Sequence, residues 1–459
     1  MSRIRFFIAL YVAKFLAFGI SIIDKNRGTN LPGLFALKID PSFCRHMRGI
    51  HSKKTIFITG TNGKSTTTNL LAAIFREANI PTAVNLEGAN LLPGVAATLL
   101  KNCSMAGRLK QEYIIMETDE RFLPIISREI KPGHMLITNI QKDQVQRNGE
   151  PHIIYRKIKQ SLSPDTCLYL NNEDPYAASL SVFVEKSLFY GVNRNDKSFQ
   201  KTGFFTTTMP CPVCGAGILF DYYNIDNIGK FSCSSCGFKS QEQPNYLLEQ
   251  VDFSSHSFSL RGEKYELRYE APYFLYCYAG AIALALELGI SSDAICQSCQ
   301  DFVNIGGRLE DIYAGGKTVH YIRMKQENPE TLQSAIDYIA ADKTRKIFML
   351  GLDELVDFHP HYTNTFYAFD CDFEELVSSD VERYICFSGT VSYDAALRLV
   401  YAGADKSKIS VIESNDDEAI INELSKYSAD NVYLITWLKK FMDLQKYAAK
   451  QATEKGRRV

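Results

Sequence analysis

A chain of 459 residues has room for roughly two to four domains of ordinary size. With 46% hydrophobic and 22% charged residues it can fill several packed cores, and its formal net charge of -1 gives no global electrostatic reason for a nucleic-acid partner. Eight of the 12 cysteines are scattered (Cys44, Cys103, Cys167, Cys277, Cys296, Cys299, Cys371 and Cys386), which argues for a reducing cytoplasm and against a disulfide framework.

The N-terminal run IRFFIALYVAKFLAFGISII is apolar and almost long enough to span a bilayer, but Arg5 and Lys14 interrupt it and no small-residue cleavage site follows. It reads as a docked or interfacial helix whose apolar face can rest on a membrane surface. From His51 onward, strand, loop and helix alternate. TIFIT (Thr55–Thr59) is a short β-rich run, and Leu70, Leu71, Ile74 and Phe75 recur at helical spacing after it. YIIME (Tyr113–Glu117), MLITNI (Met135–Ile140) and CLYLN (Cys167–Asn171) are apolar runs of the kind buried in parallel sheets, so a doubly wound α/β sheet is expected.

Between the first strand and its helix lies ITGTNGKST. Gly60 and Gly63 let backbone N–H groups turn inward around phosphate oxygens, the helix start adds its positive end, and Lys64 brings a full charge. Ser65 or Thr66 supplies a hydroxyl suited to Mg²⁺. Ile58 stands where a strict P-loop has its first glycine. At the end of the third run, METDE places Glu117, Asp119 and Glu120 where ligands sit in open α/β sheets, and Glu117 is the first choice for a hard cation.

Cys211-x-x-Cys214 and Cys233-x-x-Cys236, 18 residues apart, match a Cys₄ zinc site, each knuckle followed by a glycine, Gly215 or Gly237. Four thiolates close a tetrahedron and leave no position for water, so the role is structural; a redox dithiol lacks the expected βαβ context. HSFSLRGEKYELRYEAPY then alternates like a β-hairpin, and a helix follows at about Leu275 to Leu288. Cys296 and Cys299 share one face of another helix and read as packing, and the His359–Tyr362 run HPHY reads as a surface turn. GGRLED marks a junction, after which KIFMLGL, RYICFSG, KISVI and NVYLITW alternate with helices such as DAALRLVYAGA in a second, smaller α/β unit. The charged tail is a terminal helix or a disordered end.

TGTNGKST, TNIQKDQ, LNNEDP and GRLE, in that order, resemble the Mur ligase family, ATP-dependent enzymes that activate a carboxylate as an acyl phosphate. One branch of that family carries a four-cysteine ribbon inside its central domain, a TLPG start and a WD-x-DFE segment. This chain has TNLPG (Thr29–Gly33), the ribbon and FDCDFEEL (Phe369–Leu376). The resemblance implies a lead-in at 1–50, a central ATP-binding domain at 51–310 with the ribbon inserted at 205–240, and a C-terminal α/β domain at 311–459. It implies ATP, Mg²⁺ and structural Zn²⁺ as cofactors. The substrate would be the D-glutamate carboxylate of a peptidoglycan precursor such as lipid II, and a GatD-like glutaminase would supply ammonia, all on the cytoplasmic side. The nucleotide residues carried over are Gly60, Thr61, Asn62, Gly63, Lys64, Ser65, Thr66, Asn139, Asp143 and Arg308, with Glu117 on the magnesium.

The departures are specific. Gln141 and Lys142 replace the Phe and Arg of NIFRDQ, and Phe274 and Cys277 stand where the family has two asparagines, one near the adenine. NP-x-G-x-N/T-Q survives only as NPETLQ (Asn328–Gln333). The aspartate-bearing N-x-N-x-A-D-G, which in the family reaches into the glutaminase site, is replaced by GLDELVDFHPHY, leaving Asp357 or Asp353 for that role. The chain reads as a diverged paralogue, with a self-sufficient amino-acid ligase or a nucleotide-binding scaffold as the alternatives.

Overall fold

Side chains that alternate along one short strand decide the layering of the first half of the chain. Ile56 and Ile58 enter a core with Leu70, Leu71 and Ile74, whereas Phe57 enters another with Val95, Leu99 and Met116. A strand buried on both faces reads as an unbroken apolar run and needs helices above and below it. The computed structural model describes residues 2–23, 30–85, 89–142, 150–200, 209–225, 227–269, 271–302, 309–322, 328–352, 366–388 and 391–454.

Two compact units are present, one of residues 1–141 with 151–305 and the other of 142–150 with 306–459. The first holds a sheet built from β1 (Thr55–Thr59), β2 (Thr82–Val84), β3 (Tyr113–Glu117), β4 (His134–Ile137), β5 (Cys167–Asn171) and β6 (Ser187–Val192). A separate hairpin, β7 (Ile218–Ile225) and β8 (Ile228–Cys233), follows, and β9 (Tyr246–Asp252), β10 (Ser257–Leu260) and β11 (Glu263–Glu266) complete the sheet. Its order is β11-β10-β9-β6-β5-β4-β1-β3-β2, parallel from β2 to β9 and antiparallel at the β10 and β11 edge. The expected hairpin is β10–β11, turned at Arg261 and Gly262, both at positive φ. Three strands of this sheet, β2, β6 and β9, escape the sequence reading because they are short or only half apolar.

The connection from β1 runs toward β2 and that from β4 runs toward β5, so the crevice between the ends of β1 and β4 is the switch point where an open α/β sheet binds ligands. The helix Lys64–Glu77 starts there. Packed against it, the helix Tyr273–Glu287 is buried along nearly its whole length, which explains its lack of a polar stripe. It begins two residues earlier than its apolar pattern suggests, and therefore takes in Phe274 as well as Cys277.

The N-terminal helix Ser2–Ile23 buries Phe6, Ala9, Leu10 and Ala13, packs against the helix Leu31–Ile39, and stacks Phe6 on Phe43 at 5.3 Å. Among the described residues no helix is long and apolar enough to cross a membrane. In the second unit β12 (Leu309–Ala314), β13 (Lys317–Ile322), β14 (Lys346–Gly351), β15 (Val381–Phe387), β16 (Ile409–Ile412) and β17 (Asn431–Thr436) form a sheet of order β12-β13-β17-β14-β15-β16. The four apolar runs are β14 to β17. The polar hairpin β12–β13, turned at Gly315 and Gly316, has no such signal. The tail is a helix, Leu438–Glu454, that buries Phe441, Leu444 and Ala448.

Candidate active site and cysteine ribbon

The loop after β1 turns through Gly60 (φ 126°) and Gly63 (φ 81°), the second capping the helix Lys64–Glu77. A Cβ on Gly60 would lie 2.4 Å from Thr138 Oγ1 and 2.7 Å from the Asn139 carbonyl oxygen, so the loop can approach β4 this closely only with glycine. The segment after β4 holds it there. The Asn62 backbone N–H donates to Asn139 Oδ1 (2.9 Å), Asn139 Nδ2 donates back to the Asn62 carbonyl (3.0 Å), and Thr61 N–H donates to the Asn139 carbonyl (2.9 Å). Gln141 adds a second clamp: its Oε1 accepts from Asn62 Nδ2 (3.0 Å) and its backbone N–H donates to Thr61 Oγ1 (3.0 Å). The glutamine that departs from the family pattern is thus wired into the phosphate loop.

Lys64 is buried, and its ammonium donates to the carbonyls of Gly60 and Thr61 and to Glu120 Oε2 at 3.0 Å. The acidic trio separates by partner. Glu120 is paired with Lys64, and Asp119 is gripped by the Arg121 guanidinium and backbone N–H. Burial pushes the Asp119 carboxyl up, but the hydrogen bonds and charge of Arg121 outweigh it and hold the group below its ordinary range. Glu117 is buried among neutral amides. Asn85 exchanges backbone hydrogen bonds with it (2.8 Å each way), and Asn90 Nδ2 donates to its Oε1 at 3.3 Å. Its carboxylate suits a hard cation at the crevice better than its two neighbours, whose charges already face side-chain cations. Asn85 and Asn90, which hold Glu117, are positions the sequence reading missed; two asparagines in the segment after a strand's C-terminal end were the available signal. Ser65 is exposed and Thr66 buried. Cys277 lies with Sγ 3.8 Å from the Gly63 carbonyl, in the second half of the pair that replaces the family's asparagines. Asp143, Arg308, Asp353, Asp357 and the HPHY run lie outside the described residues.

The ribbon is built on β7 and β8. The sulfurs of Cys211, Cys214, Cys233 and Cys236 all lie within 4.8 Å of one another, with Cys211–Cys236 at 3.8 Å and Cys214–Cys233 at 3.5 Å. A tetrahedron with metal–sulfur bonds of ~2.3 Å has edges of ~3.8 Å, so the four thiols fit a zinc-sized ion. Their spacing is too long for disulfides. Gly215 (φ 80°) and Gly237 (φ 73°) turn the chain after each knuckle, and the N–H groups of Ser235 and Cys236 point at Cys233 Sγ from 3.4 and 3.5 Å. Those two donors pull the Cys233 thiol down to about 6, toward the thiolate a metal requires. Among the described residues this is the one cluster of metal-ligating groups; Cys299 is buried in the helix Ser292–Asp301, and Cys296 beside it is half-buried.

The LNNEDP loop joins ribbon and sheet. Asn172 exchanges hydrogen bonds with the Gln241 backbone (3.0 and 2.8 Å), and Gly229 N–H donates to the Glu173 carbonyl at 3.1 Å. Glu173 itself is fully buried, accepting from Val192 N–H (2.9 Å) and Asn172 Nδ2 (3.1 Å), and burial pushes its carboxyl up to about 7. Asp174 caps the next helix through Ala177 N–H and also accepts from Ile140 N–H; burial raises it to about 6.

A glycine-turned loop at the switch point, a lysine at the helix start and an acid at the neighbouring strand end are the parts an ATP-dependent ligase needs, and comparison with known proteins names the class. The Mur ligase middle domain matches residues 58–212 and the MurT ligase C-terminal domain matches residues 326–438. The chain is 28% identical over 396 residues to the lipid II isoglutaminyl synthase (glutamine-hydrolyzing) subunit MurT of Staphylococcus aureus (strain COL), covering 86% of this chain and 87% of that one. Against the protein of the same name from Streptococcus pneumoniae it is 26% identical over 419 residues, 89% and 90% of the two chains. Similar solved folds include a pseudomurein peptide ligase type C from Methanothermus fervidus (TM-score 0.65, 18% identity, 87% and 79% covered) and MurF from Acinetobacter baumannii (0.61, 16%, 90% and 81%). The chain is a MurT-like member of the Mur ligase family.

Proposed function

We propose that this protein is the ATP-dependent subunit of an amidating enzyme acting on lipid II or a close peptidoglycan precursor. The observation that carries the reading is the loop Gly60–Lys64, held against the segment after β4 by Asn139 and Gln141 at the switch point, with Glu117 at the neighbouring strand end. The γ-phosphoryl group passes from ATP to a D-glutamate carboxylate, giving ADP and an acyl phosphate. Ammonia then attacks the acyl carbon, phosphate leaves, and an amide remains. In the first step Lys64 exchanges Glu120 for phosphate oxygens, which keeps its buried charge paired throughout. The loop amides and the helix start receive the remaining negative charge. Asn139, Asp143 and Arg308 line the nucleotide in this reading, and Glu117 with Ser65 or Thr66 would hold Mg²⁺, which supplies charge neutralisation at the transferred phosphoryl. The four cysteines would hold zinc in a purely structural role. A GatD-like glutaminase, completed by Asp357 or Asp353, is the partner that supplies ammonia, and the site of action is the cytoplasmic face of the membrane, where a lipid-linked precursor is reached.

The test is to incubate the purified chain with ATP, Mg²⁺ and lipid II, then add ammonium chloride. ADP release with conversion of the carboxylate to its amide, seen by mass spectrometry, is the expected result. Bound ATP with neither ADP nor a mass change would instead identify a nucleotide-binding scaffold. That second reading is favoured by one feature, the replacement of the adenine-side asparagines by Phe274 and Cys277.

A further inference from the structure

We infer that the outward face of the N-terminal helix seats on an anionic lipid surface. The helix Ser2–Ile23 is apolar on both sides, and one side supplies its buried residues. Phe6, Ala9, Leu10 and Ala13 are buried against the unit, while Ile4 (70% exposed), Ile8, Tyr11, Val12, Phe15 (77%) and Phe18 (64%) face solvent. Their spacing of three and four residues places them on one stripe, opposite the packed one. Large apolar side chains exposed in a continuous stripe carry a hydration cost that a soluble monomer does not ordinarily retain. No described helix is fit to cross a bilayer, so a helix with such a stripe would meet a bilayer lying in the interface plane.

Charge decides which occupant covers it. Residues 1–50 carry eight basic side chains against two acidic ones, whereas the rest of the chain carries 43 against 50. One of the two acids, Asp40, is buried and taken up by His46 at 2.7 Å. Arg3, Arg5, Lys38 and Arg48 are exposed on the same N-terminal segment, and no acidic residue occurs within the helix. A second copy of the chain would set this positive segment against itself. An anionic bilayer accepts both the apolar stripe and the flanking cations, which its surface potential attracts. The neighbouring helix Leu31–Ile39 adds further exposed apolar side chains, Leu31, Leu34 and Phe35, with the Lys38 ammonium 5.6 Å from the Phe35 ring.

The experiment is co-flotation of the full chain with phosphatidylglycerol-containing and pure phosphatidylcholine vesicles, free of lipid II and of ATP, so that its result is independent of the ligase assignment. The wild type should float with the anionic vesicles, and Phe15→Asp/Phe18→Asp should bind at least about tenfold more weakly, since each ring removed from the interface forfeits its apolar burial. Both side chains are more exposed than buried, so the variant should stay folded and keep the gel-filtration volume of the wild type. Arg3→Glu/Lys38→Glu should weaken binding several-fold and reduce its salt dependence. Equal flotation of wild type and the aromatic double variant, or no flotation of either, would overturn the inference. So would a dimer that the aromatic double variant dissociates, since a second copy would then own the face.

Discussion

The phosphate loop and the cysteine ribbon belong to one compact unit, and both are glycine-turned loops that present donors to negative charge. They are assembled differently. The ribbon draws its four ligands from 26 consecutive residues, and its backbone N–H groups serve sulfurs in the same knuckle. The loop depends on partners about 80 residues away, Asn139 and Gln141, which fix its backbone through neutral amides. The ribbon is therefore a local device whose ligands could close around an ion, and the loop is a long-range device whose shape is fixed by another strand's end. The difference fits the roles proposed for them: four thiols around one ion leave no position for a reactant, whereas the loop's backbone is set by residues at the end of a neighbouring strand.

Breaking the two regions should give opposite signatures. Lys64→Ala should lower turnover by about 10⁴-fold, the scale of a phosphoryl-transfer charge lost from its site, while the fold persists; retained activity in an ADP-release assay would remove the loop from the chemistry. Cys233→Ser should do the reverse, lowering bound zinc and reducing stability by on the order of 5 kcal/mol while protein that remains folded keeps its turnover. Unchanged zinc content and melting temperature would refute the structural role.

Glu173 sits on the seam between the regions and gives a pH test. Its folded carboxyl binds a proton up to about pH 7, well above its ordinary value, so the folded state holds more protons than the unfolded one between about pH 4.5 and 7. Stability from this group therefore drains as pH rises through that window, by on the order of 3 kcal/mol, and changes no further above it. Glu173→Gln should remove that slope in denaturant titrations at pH 5, 6 and 7; parallel curves for the two proteins would mean the carboxyl stays ionised. The smallest effect is expected at Asn139. Replacing it with Ala leaves two Asn62 backbone groups without their partner, for about 1–3 kcal/mol of stability and roughly a tenfold loss in kcat/KM for ATP. An activity loss as large as that of Lys64→Ala would make Asn139 a direct phosphate contact.

Sequence legibility followed the same division. The ribbon could be read almost complete because its ligands are near neighbours, and the central strands were readable because burial on both faces leaves continuous apolar runs such as TIFIT and CLYLN. The loop's position between strand and helix was equally plain. What holds the loop was not, since nothing in the local pattern links Asn62 to Gln141, or Glu117 to Asn85 and Asn90. The first pairing exists only once β1 and β4 lie side by side, and the others only once β2 lies beside β3. The hairpin β12–β13 was missed for a different reason: its strands are polar enough to read as loop.

The Lys64–Glu120 pair has a consequence for how tightly any nucleotide binds. Folding this loop buries an ammonium, and without an intramolecular anion that burial would be costly. Glu120 makes the loop foldable in advance, but it then competes for Lys64 with every incoming phosphate at the effective concentration of a tethered ligand. A nucleotide whose phosphates took Lys64 would therefore bind by exchange between two anions. Part of the loop's stability before binding is stored as resistance to its own substrate.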